Sequence, residues 1–170
     1  MNKLTASYLA GFIDGEGSLE IRKHKRNGNY GVYYEGKLRI SQANKDIIEW
    51  LKNSFGGYME NGKNNHGSEY YCWTLKNTVK LLPFIQRIIP YLRLKKERAE
   101  LLRKFMKRKL LTRRADGTYE HLSPQELKIR EEMFQSMKQL NIKPLHAKRL
   151  SEETLRMQGS DSPILQVIGE

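Results

Sequence analysis

The sequence predicts an α+β fold with the element order α-β-β-α-β-β-α, followed by C-terminal helices. Two observations support this prediction. Two stretches of alternating apolar and polar residues each contain a turn-forming segment, which is typical of β-hairpins. Stretches with apolar residues at helical spacing precede, separate and follow them. At 170 residues the chain is long enough to bury a core without disulfides or metal ions.

The first helix is predicted to have Thr5 as its N-cap and to end within the nonapeptide 9–17, LAGFIDGEG, where an apolar run gives way to glycines. Small residues recur at every fourth position along one face of this helix: Ser7, Gly11 and Gly15. Such a face allows another backbone to approach closely. Glu16 falls at the C-terminal end, where the helix dipole disfavours negative charge, so we expect a cation beside its carboxylate.

Two hairpins follow the first helix. The first joins alternating strands at 18–26 and 30–42 through the turn 27–29, Asn-Gly-Asn, and the second joins 58–61 to 69–75. Six apolar residues share the predicted buried face of the first hairpin: Leu19, Ile21, Val32, Tyr34, Leu38 and Ile40. The opposite face is polar and rich in cations, which can pair with base edges and phosphates.

Three further helices are predicted. Asn44 caps a helix that ends at the glycines 56–57, and a third helix spans 78–89 before a proline. Ser123 opens a capping box with proline at the first helical position, which predicts a helix to Leu140.

The predicted organisation is a core at 1–115, with C-terminal helices at 116–158 packed on the same domain. A short helix is expected near 151–157. Residues 159–170 show no periodic pattern and are predicted to form a flexible tail.

The charge and composition of the chain limit the classes of partner that it is expected to bind. The chain has 31 Lys and Arg against 19 Asp and Glu, and the net charge of +12 favours a polyanion. Within 87–114 the cations outnumber the acids, and four of them are expected to meet phosphates: Arg103, Lys104, Lys107 and Arg108. A single cysteine suits a reducing compartment. The absence of a long apolar run and of a signal-peptide pattern predicts a soluble, intracellular protein without a membrane partner.

The nonapeptide resembles the LAGLIDADG signature of homing endonucleases. It matches at Leu9, Ala10, Gly11, Ile13, Asp14 and Gly17, with Phe12 for Leu, Gly15 for Ala and Glu16 for Asp. Residues 90–99, PYLRLKKERA, are similar to the segment that carries the active-site lysine of that family. The resemblance implies a LAGLIDADG homing endonuclease fold, in which a four-stranded antiparallel saddle binds double-stranded DNA and helices cover its other side.

The resemblance also implies roles for individual residues. Glu16, with the carbonyl of Gly15, would bind Mg²⁺ or Mn²⁺ at the scissile phosphate. Lys95 would stabilise developing charge, with Lys96 as the alternative, and Gln42 would position water. The chain contains one such motif, whereas cutting two strands requires two sites, so we expect a homodimer on a nearly palindromic target. Its interface would contain Ser7, Gly11, Asp14 and Gly15, with Asp14 capping the motif helix of the partner.

DNA is expected to be recognised by the polar face of the strands. The candidate DNA-binding residues are Glu20, Arg22, His24, Arg26, Tyr33, Glu35, Lys37, Arg39, Tyr70 and Thr74, with Cys72 beside them.

Two other functions share this scaffold. One is an RNA maturase that assists intron splicing, and the other is a DNA-binding regulator that does not cut. The presence of Glu16, Gln42 and Lys95 together favours a metal-dependent nuclease, and a free-standing or intron-encoded product fits better than an intein.

Overall fold

The two hairpins form one antiparallel sheet with the strand order β1-β2-β4-β3. The strands are β1 (Gly17–Lys25), β2 (Val32–Gln42), β3 (Tyr58–Lys63) and β4 (Glu69–Leu75). The helices are α1 (Lys3–Glu16), α2 (Lys45–Phe55), α3 (Thr78–Ile88), α4 (Lys96–Leu111) and α5 (Pro124–Leu140), with a 3₁₀ turn at Ile89–Tyr91. This computed structural model describes residues 1–25, 31–116 and 122–142. The predicted element order is therefore confirmed.

Some of the predictions lie outside the described residues. They concern Arg26, the turn 27–29, the short helix near 151–157 and the tail 159–170. Residues 1–140 form one compact unit, and the fold described below is the fold of that unit. None of the described helices is long and apolar enough to cross a membrane.

Strand alternation divides the sheet into two chemically different faces. Leu19 lies opposite Leu38 across β1 and β2, and Ile40 lies opposite Trp73 across β2 and β4, and all four are buried. The intervening positions carry polar side chains, such as Glu20 opposite Lys37. Because side chains alternate along a strand, one face packs on the helices and the other forms a continuous polar surface.

The close approach of α4 to the apolar face requires Gly36. A Cβ added there would lie 2.6 Å from Met106 Sδ, 2.8 Å from Leu102 Cδ1 and 3.0 Å from Phe105 Cδ1. Apolar residues of α4 thus occupy the space that a side chain on β2 would fill. The most basic of the described helices therefore lies on the covered side of the sheet, away from the polar face.

Two of the three N-cap residues predicted from the sequence are the caps in the structure. Asn44 and Ser123 accept backbone hydrogen bonds from the starts of α2 and α5, as predicted. The predicted cap of α1 is wrong by three residues. Asn2 is the cap, because its Oδ1 accepts the backbone N–H of Thr5 at 2.8 Å.

A polar contact docks α5 on the sheet. The hydroxyl of Tyr34 donates a hydrogen bond to the Glu131 carboxylate, and Lys23 Nζ lies 2.7 Å from the same carboxylate. Hydrogen bonds from Lys23, Tyr34 and Gln135 lower the pKa of Glu131 to about 2. Burial and the hydrogen bond to Glu131 raise the pKa of Tyr34 to about 12. Beside this contact Met137 enters the core.

We predict that Glu131→Gln lowers the free energy of unfolding by about 1 kcal/mol at pH 7, because the hydrogen bond from Tyr34 loses a charged acceptor. Because folding lowers the pKa of Glu131, the stabilisation by its ionised carboxylate is complete above about pH 4.3, the usual carboxyl pKa. This stabilisation is lost as the pH falls towards 2. Urea unfolding from pH 7 to pH 2.5 measures it, with Glu132→Gln on the same helix as control. A difference between parent and variant that does not shrink in acid would contradict the prediction.

Candidate functional site

Glu16 lies where the first helix passes directly into the first strand. It is the last residue of α1, and Gly17 begins β1 without an intervening loop. A Cβ added at Gly17 would lie 2.8 Å from both the carbonyl oxygen and Cγ2 of Ile13, so this transition needs glycine. The Glu16 side chain is exposed at the edge of the polar face. The fold therefore brings the acidic end of the motif helix to the surface that carries the charged residues.

A groove of about 450 Å³ opens beside Glu16 on the polar face. Its lining residues are Glu16, Ser18, Glu20, Arg39, Ser41 and Tyr70. They come from the end of α1 and from β1, β2 and β4, and they combine two carboxylates with a guanidinium and three hydroxyl groups. Such a groove can bind a polar ligand that carries both negative charge and hydrogen-bonding groups.

Lys95 closes the C-terminal end of α1. Its Nζ donates to the carbonyl oxygens of Ile13 at 2.9 Å and Gly17 at 2.8 Å, and more weakly to that of Gly15 at 3.4 Å. These oxygens carry the negative end of the helix dipole, so the ammonium neutralises it. Burial and the nearby Arg98 lower the pKa of Lys95, and the charges of two carboxylates partly oppose this effect.

Asp14 fixes the segment that carries Lys95. Its Oδ2 accepts the backbone N–H of Arg93 at 2.7 Å, and its Oδ1 accepts that of Lys95 at 2.9 Å. The carboxylate is thus engaged within its own chain, which differs from the predicted capping of a partner helix. The geometry also distinguishes the two candidate lysines, because Lys96 begins α4 and is exposed.

The small residues of α1 form an uncovered surface. Ser7, Gly11 and Gly15 are exposed, and a Cβ added at either glycine would meet no atom within 4 Å. Two apolar side chains of the same helix are also exposed, Leu4 at 81% and Tyr8 at 53%. The glycines therefore do not relieve crowding within this chain.

Across β1 and β2 the polar face is a set of paired charges. Glu20 accepts hydrogen bonds from Ser18 at 2.8 Å and Arg22 at 2.5 Å, and Lys37 Nζ lies 3.8 Å away. Burial raises the pKa of Glu20, but the hydrogen bonds from Arg22 and Ser18 and the nearby positive charges outweigh burial, so the pKa is lowered. Burial lowers the pKa of Lys37, against the opposing charge of Glu20.

An aromatic and ionic group occupies the other end of this face. The ring of His24 stacks on Tyr33 with centroids 4.8 Å apart. Glu35 lies 4.0 Å from His24 Nε2 and 3.6 Å from Lys76 Nζ. The structure therefore places His24, Tyr33 and Glu35 side by side on the polar face, as the alternation predicts.

The predicted residues of β4 differ in their access to solvent. Tyr70 is half-buried and lines the groove. Cys72 and Thr74 are each 1% exposed. The structure therefore keeps both side chains below the surface, whereas direct contact with DNA requires exposed side chains. Arg39 lies next to them and donates two hydrogen bonds to the Cys72 sulfur.

Gln42 is not brought to the groove. It is the last residue of β2, it lies opposite Tyr71, and the alternation gives it the same side as Ile40. Ser41 occupies the neighbouring position on the polar face and lines the groove instead. The sequence analysis did not single out Ser18 or Ser41, although the alternation that selected Glu20 and Arg39 includes both.

The cations of α4 are partly used for packing rather than for an external partner. Arg103 contacts Glu100 at 2.7 Å, and Arg108 Nη2 donates to Glu126 of α5 at 2.5 Å. Arg103 and Arg108 are thus paired with carboxylates on a helix that lies on the covered side of the sheet, and contact between this group and phosphates stays a prediction.

Comparison with known proteins agrees with this arrangement. The sequence profile of the LAGLIDADG endonuclease family matches residues 9–108, from the motif helix to the middle of α4. The chain belongs to the LAGLIDADG endonuclease family. This LAGLIDADG endonuclease is accordingly a DNA-cutting enzyme, and its predicted fold is confirmed. No curated protein sequence matches the chain.

Solved structures of homing endonucleases share the fold of this LAGLIDADG endonuclease. One is I-CvuI in complex with the I-CreI target, with 20% identity and a TM-score of 0.65 over 84% of this chain and 85% of that one. Another is the archaeal intron-encoded I-Vdi141I complexed with DNA, with 23% identity and a TM-score of 0.66 over 82% and 86%. I-SmaMI bound to cleaved DNA has 22% identity and a TM-score of 0.61 over 81% of this chain but 45% of that one.

We predict that Lys95→Met lowers the free energy of unfolding by about 1–2 kcal/mol, because carbonyl oxygens at the end of α1 lose their donor. Lys96→Met is the matched control and should change it by less than about 0.5 kcal/mol, because its side chain is exposed. Urea unfolding at pH 7 gives both values. Equal losses in the two variants would show that the ammonium of Lys95 does not hold the helix end.

Proposed function

We propose that this protein is a site-specific homing endonuclease that cuts both strands of a long, pseudo-palindromic duplex as a homodimer, using Mg²⁺ or Mn²⁺, and that it is intron-encoded. The observation that carries the proposal is the position of Glu16. Its carboxylate is exposed, lies at the edge of a polar sheet face and lines a groove with Arg39 and Glu20. A carboxylate in that position can hold a divalent ion against a phosphate of bound DNA.

The donor set near Glu16 fits a hard cation. Glu16 supplies a carboxylate, and the Gly15 carbonyl is the least engaged of the three oxygens that face Lys95, at 3.4 Å against 2.9 and 2.8 Å. Oxygen ligands of this kind, completed by DNA phosphates and by Glu16 of a second copy, match the preference of Mg²⁺. When bound, the ion would activate water and neutralise the leaving oxygen.

Each neighbouring residue has a separate proposed role. Lys95 holds the end of α1 and places positive charge behind Glu16. Glu20, Arg22 and Arg39 lie where a duplex seated on the sheet would present base edges. Gln42 remains a predicted water-positioning residue.

The uncovered face of α1 supports the homodimer. Gly11 and Gly15 leave open space above the helix, and Leu4 and Tyr8 border it with exposed apolar surface. Packing two copies through this face would bury the apolar groups and bring two Glu16 carboxylates together, one for each strand of the duplex.

We expect Glu16→Gln to reduce double-strand cleavage by ~100-fold or more while duplex binding changes little, because the substitution removes a metal-binding charge and keeps the size of the side chain. The assay uses a library of near-palindromic duplexes with Mg²⁺, and EDTA should abolish cleavage by the parent. Glu97→Gln, an exposed acid on α4, is the matched control.

The same assay separates the alternatives. Cleavage by Glu16→Gln at the parental rate, or cleavage by the parent in EDTA, would contradict the proposed chemistry. Binding of one duplex without cleavage would indicate a regulator. Selective binding of structured RNA without DNA cleavage would indicate a maturase.

We expect Gly11→Leu to weaken self-association at least ~10-fold while raising the stability of the single chain by up to about 1 kcal/mol. The new side chain has free space in one copy and replaces a poor helix former, but it would block a second helix. Sedimentation velocity over a concentration series measures association, and thermal unfolding measures stability. Ser54→Leu, which also adds bulk to an exposed helix position, on α2, is the control. An unchanged dimer would rule out this interface.

A further inference from the structure

The Arg39 side chain is held by the sulfur of Cys72. Its Nε donates at 3.3 Å and its Nη2 at 3.2 Å to the same Sγ atom. Both donors belong to one edge of the planar guanidinium, so the two contacts fix the orientation of the plane as well as the position of the group.

The sulfur is itself firmly placed. Cys72 is 1% exposed, and its Sγ lies 3.8 Å from the Trp73 carbonyl oxygen and 3.9 Å from Thr74 Oγ1. Thr74, the residue directly opposite Arg39, is also 1% exposed. A buried acceptor on a central strand cannot follow Arg39 outward, so the arginine must adapt to the sulfur.

This contact directs Arg39 towards the end of the sheet that carries Glu16. Cys72 pairs with Ser41 rather than with Arg39, so the arginine reaches diagonally to the next pair on the same face, two residue pairs along the ladder. That row borders the start of β1, since Gly17 pairs with Ile40. Arg39, Ser41 and Glu16 line the same groove.

The remaining edge of the guanidinium has a defined chemistry. An arginine has five N–H donors, and the sulfur occupies the edge formed by Nε and Nη2. The other edge, formed by Nη1 and Nη2, is a two-donor fork. Such a fork matches the O6 and N7 acceptors of guanine in the major groove, or two oxygens of a phosphate. Arg39 lies on β2, which has a strand on each side, where a duplex seated on the sheet presents base edges.

We infer that Cys72 is a positioning residue that orients Arg39, and that Arg39 thereby reads a guanine beside the cleavage position. The inference rests on the proposed function, because it assumes a duplex seated on the polar face. It concerns sequence choice, whereas Glu16 concerns cleavage.

The contact can be tested without DNA. Cys72 is the single cysteine of the chain, so a thiol-reactive disulfide reagent reports on it alone. We expect Arg39→Ala to speed labelling at least ~10-fold, because the guanidinium covers the sulfur. Arg22→Ala on the neighbouring strand should leave the rate unchanged. Equal rates in parent and Arg39→Ala would show that Arg39 does not cover the thiol and would overturn the inference.

Base reading is tested by substituting every position of the target duplex and measuring binding by each variant. Arg39→Ala should reduce the preference for guanine at one position of each half-site by roughly 5- to 150-fold, the range of a bidentate base contact. Cys72→Val, which fills the space without accepting a hydrogen bond, should reduce it at the same position. Cys72→Ser should restore part of the preference, because a hydroxyl oxygen accepts.

The double variant decides whether Cys72 acts through Arg39. Arg39→Ala with Cys72→Val should be no worse at that position than Arg39→Ala alone. Additive losses, or an unchanged preference in Cys72→Val, would overturn the positioning role. A uniform loss of affinity over all sequences would indicate a phosphate contact and overturn the guanine assignment. A parent that binds no duplex would overturn the proposed function as well, while the labelling experiment would still report on the contact.

Discussion

The link between the end of α1 and the segment before α4 determines how the candidate site is built. Asp14 accepts two backbone hydrogen bonds from that segment, and Lys95 returns its ammonium to the carbonyl oxygens around Gly15. Each of the two charged side chains therefore bonds to the backbone of the segment that carries the other, although the segments lie about eighty residues apart in the chain. Because both ends of the link are fixed, Glu16 has a defined position at the start of the sheet.

The sheet adds the second constraint, which is the separation of its two faces. Apolar residues of α1, α3, α4 and α5 enter one core with one face of the strands, and Gly36 lets α4 come close. The charged residues are therefore left together on the other face, where Glu20, Arg22 and Lys37 hold one another in place. This mutual pairing lowers the cost of gathering many charges on one surface and orients side chains before a ligand arrives.

The two contacts that hold the site in place, at Lys95 and at Arg39, differ in their physical origin. The junction at Lys95 depends on a helix dipole and on backbone oxygens, so its geometry follows from main-chain positions. The orientation of Arg39 depends on one side-chain sulfur, which a single substitution can remove. Cleavage chemistry and sequence choice would therefore respond to different changes in the same groove.

Local periodicity was enough to predict the strands, most of the helices and the composition of each sheet face. Alternation and capping depend on residues within four positions of each other, which the sequence displays directly. Glu16 and Lys95 were selected by the resemblance of two contiguous motifs to those of the LAGLIDADG family, and not by periodicity. Partners far apart in the chain were not predictable: Asp14 with the amides at 93 and 95, and Glu131 with Tyr34.

Only the tertiary structure decided which cations face outward and which residues of separate elements line the groove. Arg108 has the composition of a phosphate-binding residue, but helix packing pairs it with Glu126. Gln42 has the right chemistry for the groove, but alternation along β2, which the sequence already displays, places it on the side of Ile40, and Ser41 lines the groove instead. Residue type determines what a side chain can bind, whereas packing and register determine what lies within its reach.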